Sequence, residues 1–201
     1  MNQRVLVNIG QIIILNFVYI LVNVLGLGLL IIPSTSTLFH FITKIRNGSY
    51  DPFDTFKPFI RLLVKNTKEM ISIQIIFTIV IGFSVFNLVN LDLLNYPIFI
   101  KQTLMVLYTI SIIESMLLII VISLLNGNFI FKSRLDMVKM SFYLIHRHLL
   151  TSFIITLLLI VVSYVLFAYS LFIIFGLFAL LFYLIDVMYQ PIYRRHIIKE
   201  E

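Results

Sequence analysis

The sequence contains no cysteine, and only 12% of its 201 residues are charged. The absence of cysteine excludes disulfides, thiolate nucleophiles and cysteine-based metal sites. Soluble domains carry about 25% charged residues, so the shortage of charge argues against a soluble protein. In place of charge, 61% of the residues are hydrophobic, which is more than one soluble core of this length can bury. The composition therefore indicates an integral membrane protein.

Long apolar runs predict an all-α polytopic transmembrane helical bundle with five spans, forming a single membrane domain over residues 1–201. A span needs about 20 apolar residues, because the hydrocarbon core is roughly 30 Å thick. The last apolar stretch is about twice that length, so we predict a turn within it at Tyr169-Ser170. The first run lacks a signal-peptide cleavage site and is expected to be retained. The predicted spans lie at about 12–32, 70–89, 102–125, 149–168 and 171–189.

The basic residues predict an orientation for these spans. Thirteen of the fifteen Lys and Arg residues lie in the connection 33–69, the connection 126–148 or the C-terminal tail. Five spans place those three segments on one side of the membrane, and the positive-inside rule makes that side the cytoplasm. We therefore predict an outside N-terminus and a cytoplasmic C-terminus. The net charge of +6 is explained in this way and not by binding to nucleic acid.

The first predicted cytoplasmic loop, 33–69, has the pattern of short amphipathic helices. Ser34 or Thr35 favours a helix start after Pro33, and Gly48 is typical of a helix end that follows basic residues. Asp51-Pro52 favours a second start. The second helix would carry an apolar face made of Phe53, Phe56, Ile60, Leu63 and Val64.

A basic stripe lies beside that apolar face. It consists of Lys57, Arg61, Lys65 and Lys68. We predict that these four residues contact anionic lipid headgroups while the aromatic rings enter the acyl boundary. The alternative is that they are only the basic flank of the second span.

Glu114 is the strongest candidate for a functional side chain, because it lies near the middle of the third span with Ser111 one turn before it. A carboxyl group at that depth costs a few kcal/mol to place and usually faces the protein interior. A functional interpretation is a proton or cation relay or a substrate contact. The structural interpretation is a neutral glutamate that fastens helices together.

Other polar residues fall within the predicted spans and are candidates for a polar path or for helix–helix contacts. The expected partners of Glu114 are among them, on spans one and two. Asp186 lies near the inner end of span five, where we expect a carboxylate that reaches water at a helix interface. The full set is Asn16, Asn23, Gln74, Thr78 and Asp186.

No catalytic or metal-binding motif stands out. His146 and His148 are two residues apart, which directs them away from each other on a helix. Phosphate-binding glycine loops, zinc-protease patterns and nucleophile elbows do not occur. We therefore predict no enzyme activity, no metal and no cofactor.

The first seventy residues resemble the YesL family of bacterial inner-membrane proteins, whose molecular function is unassigned. The resemblance rests on Leu15-Asn16, on the segment Pro33-Ser34-Thr35-Ser36-Thr37-Leu38, and on Lys44, Gly48, Phe53-Asp54-Thr55-Phe56 and Lys65-Asn66. Pro33, Thr35 and Thr37 form the corner that matches the family motif. The resemblance implies a multi-pass protein of the bacterial cytoplasmic membrane, associated with carbohydrate uptake.

Two functions are compatible with these patterns. The first is an accessory or structural component of a transport system, in contact with the lipid bilayer and with a membrane-protein partner or further copies of itself. The second is a self-contained small transporter or channel that uses the intramembrane Glu114.

Overall fold

The computed structural model describes residues 3–26, 28–48, 56–168 and 176–196. Within these ranges the chain forms seven α-helices and no strand, which confirms the predicted all-α helical bundle. The helices are α1 (Gln3–Leu25), α2 (Ile31–Arg46), α3 (Phe56–Asn90), α4 (Ile98–Asn128), α5 (Arg134–Arg147), α6 (Leu149–Ala168) and α7 (Leu177–His196).

Among the described residues, two helices are long and apolar enough to cross a bilayer, namely Phe56–Leu93 and Ile98–Asn128. A third span results if α5 and the first part of α6, which meet at an angle of 94°, are taken as one broken span. Two shorter apolar helices lie at Gly10–Leu25 and Leu177–Tyr193. These features are those of a membrane protein, and the count of five spans stays a prediction.

The first predicted span ends earlier than expected. The α1 helix stops at Leu25, and Gly28 then adopts a positive φ of 74° that starts a turn. Pro33 does not end this span but lies in the first turn of α2. A proline is tolerated there because the first N–H groups of a helix have no partner within the helix.

The segment predicted as a short amphipathic helix of the first loop forms α2, which is buried along most of its length. All residues from Ile32 to Phe39 are buried, and α2 packs against α1, α3, α4 and α7. The end of the helix is as predicted, because Lys44 and Arg46 occupy the last turn and Gly48 has a φ of 70°. The sequence therefore located the end of this helix but not its burial, and the predicted cap at Ser34 or Thr35 is wrong, because the helix begins at Ile31 with Leu30 at the N-cap position.

The predicted interfacial helix and the second span form one continuous helix, α3. Pro58 lies in its first turn, where it interrupts no hydrogen bond, and no other proline or glycine occurs before Gly82. The buried stripe of α3 begins with Phe59, Leu63, Asn66 and Met70. Phe56 and Val64, placed on the apolar face by the sequence pattern, are instead 60% and 50% exposed. The predicted start at Asp51-Pro52 and the ring of Phe53 lie outside the described residues.

The fourth predicted span coincides with α6, Leu149–Ala168. The predicted turn at Tyr169-Ser170 lies outside the described residues. The α7 helix begins at Leu177, directly after Gly176 with its φ of 102°. The last helix therefore starts and ends several residues later than the predicted span 171–189.

The second half of α3 and the first half of α4 form a hairpin that extends beyond the bundle. At 1.5 Å per residue the two helices are about 52 and 46 Å long, well over the bilayer core. Between residues 75 and 114 the buried residues are Ser84 and Leu91. Apolar side chains such as Ile79, Phe86 and Val106 are more than half exposed.

Candidate functional site

The family-motif corner holds α1 and α2 together through side-chain hydrogen bonds. The amide of Asn23 donates to Ser34 Oγ at 2.9 Å. Tyr19 and Thr35 pair through their hydroxyl oxygens at 3.2 Å. Ser34 and Thr35 are buried, so these bonds satisfy hydroxyl groups that would otherwise lose their hydration.

The next two residues of the corner bond to the opposite side of the bundle. Asn66 on α3 donates from Nδ2 to Thr37 Oγ1 at 2.9 Å. Asn126 on α4 donates to Ser36 Oγ at 2.6 Å. Successive hydroxyls of one helix thus contact three different helices, and α2 serves as the polar hub of the fold.

The buried start of α2 is completed by a side chain from α3. The N–H of Ile32 donates to Gln74 Oε1 at 2.7 Å, and the amide of Gln74 donates to Thr78 Oγ1 at 3.1 Å. A buried helix terminus requires such partners for its first N–H groups. Gln74, predicted as an intramembrane polar residue, therefore serves as a cap for another helix.

A second polar cluster surrounds Asp186 on α7, which is 0% exposed. Its carboxylate forms an ion pair with Arg46 of α2 and accepts a hydrogen bond from the hydroxyl of Tyr193 at 3.2 Å. Thr43 and Asn128 donate to the same carboxylate at 3.3 and 3.4 Å. The prediction that Asp186 reaches water is wrong, because four neighbouring side chains surround it, while its position at a helix interface is correct.

A cavity of about 540 Å³ with a mixed polar and apolar lining opens between α2, α3, the end of α4 and the connection from α4 to α5. The last turn of α4 and the connection together supply one continuous wall, Asn126–Ser133. Charged side chains and amides mix with apolar groups on the other walls. The lining includes His40, Lys65, Asn66, Glu69, Lys132 and Arg134.

His40 is the titratable ring in this lining. Its Nδ1 lies 2.9 Å from the carbonyl oxygen of Gly127, and since a carbonyl only accepts, Nδ1 carries the proton. Burial lowers the pKa of His40; the bond to Gly127 opposes this shift, and the charges of Lys44 and Lys65 add to it. The ring is therefore neutral at pH 7.

Glu114 is paired with His146 of α5 and not with the residues that the sequence suggested. Its Oε1 lies 3.4 Å from His146 Nε2, and the two side chains are 36% and 49% exposed. Glu114 therefore lies at the edge of the bundle. The predicted partners were wrong because the sequence did not reveal α5. This helix packs against α4 and places His146 beside Glu114.

The remaining candidates have separate surroundings. Asn16 is buried and accepts a hydrogen bond from the N–H of Ala179 at 3.1 Å. Ser111 accepts from Ser84 at 3.3 Å within the protruding hairpin. The structure does not join these residues to Glu114 in one polar path among the described side chains.

Only one member of the predicted basic stripe reaches the cavity. Lys65 lines it, whereas Lys57, Arg61 and Lys68 are exposed outside it. Sequence reasoning missed the residues that complete the two clusters: Arg46, Asn66, Asn126 and Asn128. Asn66 stood next to Lys65 in the family-like segment, while the other three carried no pattern that distinguished them from loop residues.

Within the described ranges, no group of three or more metal-ligating side chains could hold a metal ion. The polar groups of the two clusters are instead bonded to one another. Their chemistry is that of fastening helices and of presenting charge to the cavity.

Comparison with known proteins gives one family relationship. Residues 12–88 match the family described as "Protein of unknown function, DUF624". This segment covers most of α1, all of α2 and nearly all of α3, and it contains the motif corner with its partners Asn23, Asn66 and Gln74. No curated protein and no solved structure is significantly similar to the chain. The chain is thus similar, in its first three helices, to an uncharacterised family.

Proposed function

We propose that the protein is an accessory or structural component of a membrane transport assembly. The observation that carries this proposal is the α3–α4 hairpin, which extends from the bundle with its apolar side chains uncovered. A groove of about 430 Å³ runs along it, lined by Ile79, Val80, Phe83, Ser84, Leu107, Tyr108 and Ser111. A concave apolar surface with a small polar pair suits the packing of a partner's transmembrane helix.

The use of the buried polar residues supports the same function. In both clusters, side chains such as Asn66 and Asp186 bond across helices, which stabilises a fixed scaffold. A fixed scaffold with an apolar arm that this chain leaves uncovered is compatible with an accessory subunit that packs against a partner.

The resemblance to the YesL family suggests where this component acts. We place the protein in the bacterial cytoplasmic membrane, N-terminus outside and C-terminus inside, with carbohydrate uptake as the associated system. The asymmetric distribution of Lys and Arg supports the orientation. Reporter fusions after Asn95 and Glu201 test it, and a cytoplasmic signal at Asn95 contradicts it.

Affinity purification from the native membrane in mild detergent tests the accessory function. A transporter subunit recovered in fixed stoichiometry supports it. Val80→Trp, which fills the groove, should lower that recovery. Ile160→Trp, on the exposed face of α6, is the matched control and should not. Recovery of the protein alone, with no effect of Val80→Trp, contradicts the proposal.

A self-contained transporter is the second candidate, and the Glu114–His146 pair favours it. Two titratable groups 3.4 Å apart are suited to exchanging a proton. Flux of an ion or solute into liposomes that contain only the purified protein would support this function, and its loss in Glu114→Gln would assign it to the pair.

A further inference from the structure

The cavity at the basic end of the bundle has an excess of positive charge. Four charged residues line it, and three of them are cations: Lys65, Lys132 and Arg134, against the single anion Glu69. Glu69 forms an ion pair with Lys65 at 4.0 Å, so its negative charge compensates the charge of that lysine. The opposite wall therefore carries two cations that Glu69 does not balance.

Those two cations have no carboxylate partner among the described residues. Arg134 donates to the hydroxyl of Ser72 at 3.1 Å and to the backbone carbonyl of Lys68 at 3.4 Å, both of which are neutral acceptors. A guanidinium has five N–H groups, so these bonds hold Arg134 in place and leave further donors. Lys132 makes no hydrogen bond or ion pair within the described ranges, and its three donors remain for a ligand.

Neutral polar groups complete the lining on the side of the bundle. Asn66, Asn126 and Asn128 belong to the hydrogen-bond networks around Ser36 and Asp186, which fix their positions. His40 also lines the cavity, but with Nδ1 bonded to Gly127 its Nε2 is an acceptor in the neutral ring, so it can bind a hydroxyl group of the ligand and not a phosphate oxyanion. The site thus combines cations on one wall with fixed hydrogen-bonding groups on the other.

We propose that this cavity binds a phosphate-bearing anion. A phosphate group presents several acceptor oxygens and up to two negative charges, which matches two or three cations in one cavity lining better than a single carboxylate does. The volume of about 540 Å³ is within the range of small-molecule sites. The phosphate would come from an anionic phospholipid headgroup or from a soluble phosphate ester. This inference does not depend on the proposed accessory function.

Binding measurements on the full chain test the proposal and separate the two sources. The protein is reconstituted in phosphatidylcholine nanodiscs and titrated with inorganic phosphate and glycerol phosphate. In a second arm the nanodiscs contain a fraction of phosphatidylglycerol. We expect a higher midpoint of thermal unfolding in at least one arm. A response to the soluble anions assigns a soluble ester, and a response to phosphatidylglycerol alone assigns a lipid.

Two variants locate the binding site. Lys132→Gln should weaken the affinity for the probe about tenfold, the loss expected for one charge-assisted hydrogen bond. The double variant Lys132→Gln with Arg134→Gln should weaken the affinity further. Lys139→Gln is the control, because it removes the same charge from an exposed position of α5 that lies outside both the cavity and the predicted basic stripe. Circular dichroism establishes that each variant folds. An equal loss in Lys139→Gln, or no response to any of the probes, overturns the proposal.

Discussion

Asp186 and Arg46 form an ion pair inside the bundle although 140 residues separate them in the sequence. The pair joins the last turn of α2 to α7, and Tyr193 bonds to both members, at 3.2 Å from Asp186 and 3.4 Å from Arg46. Asn128 connects the same carboxylate to the wall of the cavity. The pair therefore links three helices at the basic end of the protein.

Removal of the carboxylate from this pair should destabilise the protein. Asp186→Asn leaves Arg46, whose side chain is 15% exposed, without its counter-charge, and breaking a buried pair in this way costs about 3 kcal/mol. The measurement is the midpoint of thermal unfolding in detergent. Asp92→Asn is the control, since the Asp92 side chain is fully exposed, and it should leave the midpoint unchanged. Equal midpoints for Asp186→Asn and the original protein would refute a stabilising role for the pair.

The contact between α2 and α4 depends on Gly127. A Cβ at this position would lie 2.5 Å from the carbonyl oxygen of Ser36, so Gly127→Ala forces the two helices apart. We expect a loss of about 1–3 kcal/mol in the free energy of unfolding. Chemical denaturation measures it.

Gly82→Ala provides the comparison for Gly127→Ala. An added Cβ at Gly82 meets no atom within 4 Å, and alanine has the higher helix propensity. Stability should therefore be kept or slightly raised. If both substitutions had the same effect, helix propensity and not the close approach at Gly127 would explain it.

The lowered pKa of His40 predicts a pH dependence of stability. Burial is the main cause, and the positive charges of Lys44 and Lys65 act in the same direction. Because the unfolded state takes up the proton first, the contribution of His40 is complete above about pH 6.5 and is lost as the pH falls.

Comparison with His40→Gln isolates this contribution, because the other titrating groups are common to both proteins and glutamine can still donate to the Gly127 carbonyl. The drop in unfolding midpoint between pH 7.5 and pH 5.5 should be smaller in the variant. An identical drop in both proteins would show that His40 does not titrate differently on unfolding.

The sequence was sufficient to predict the helical class, because the class depends on composition and on apolar runs. The extent of α6 followed from the same signal. The burial of α2 could not be predicted from this signal, since four consecutive polar residues resemble a loop until their partners are known. These residues are Ser34, Thr35, Ser36 and Thr37. Those partners lie up to 90 residues away, as in the bond between Asn126 and Ser36.

In the candidate site, too, single unusual residues could be recognised from the sequence, whereas their neighbours in space could not. Lys65 was recognisable as part of a basic stripe, and Asp186 as an unusual charge in an apolar helix. Their surroundings were not recognisable, because Arg46 and Arg134 look like ordinary basic residues of a loop. The packing of α2 against α7, and the hydrogen bonds of Arg134 to Ser72 and Lys68 of α3, give these two arginines their different environments.

Glu114→Gln distinguishes the two proposed functions. Glu114 and His146 are half-exposed and 3.4 Å apart. Because Nδ1 of His146 donates to the Phe142 carbonyl, the Nε2 atom that faces residue 114 is an acceptor in the neutral ring, and the amide N–H of a glutamine can donate to it. We therefore expect the free energy of unfolding to change by less than about 1 kcal/mol.

If the protein is an accessory component, Glu114→Gln should also leave the recovery of its partner unchanged, because the pair lies outside the hairpin groove. If the protein transports protons or cations by itself, the same substitution should abolish flux in liposomes while the unfolding midpoint stays constant. A large loss of stability in Glu114→Gln would contradict the half-exposed position of this side chain.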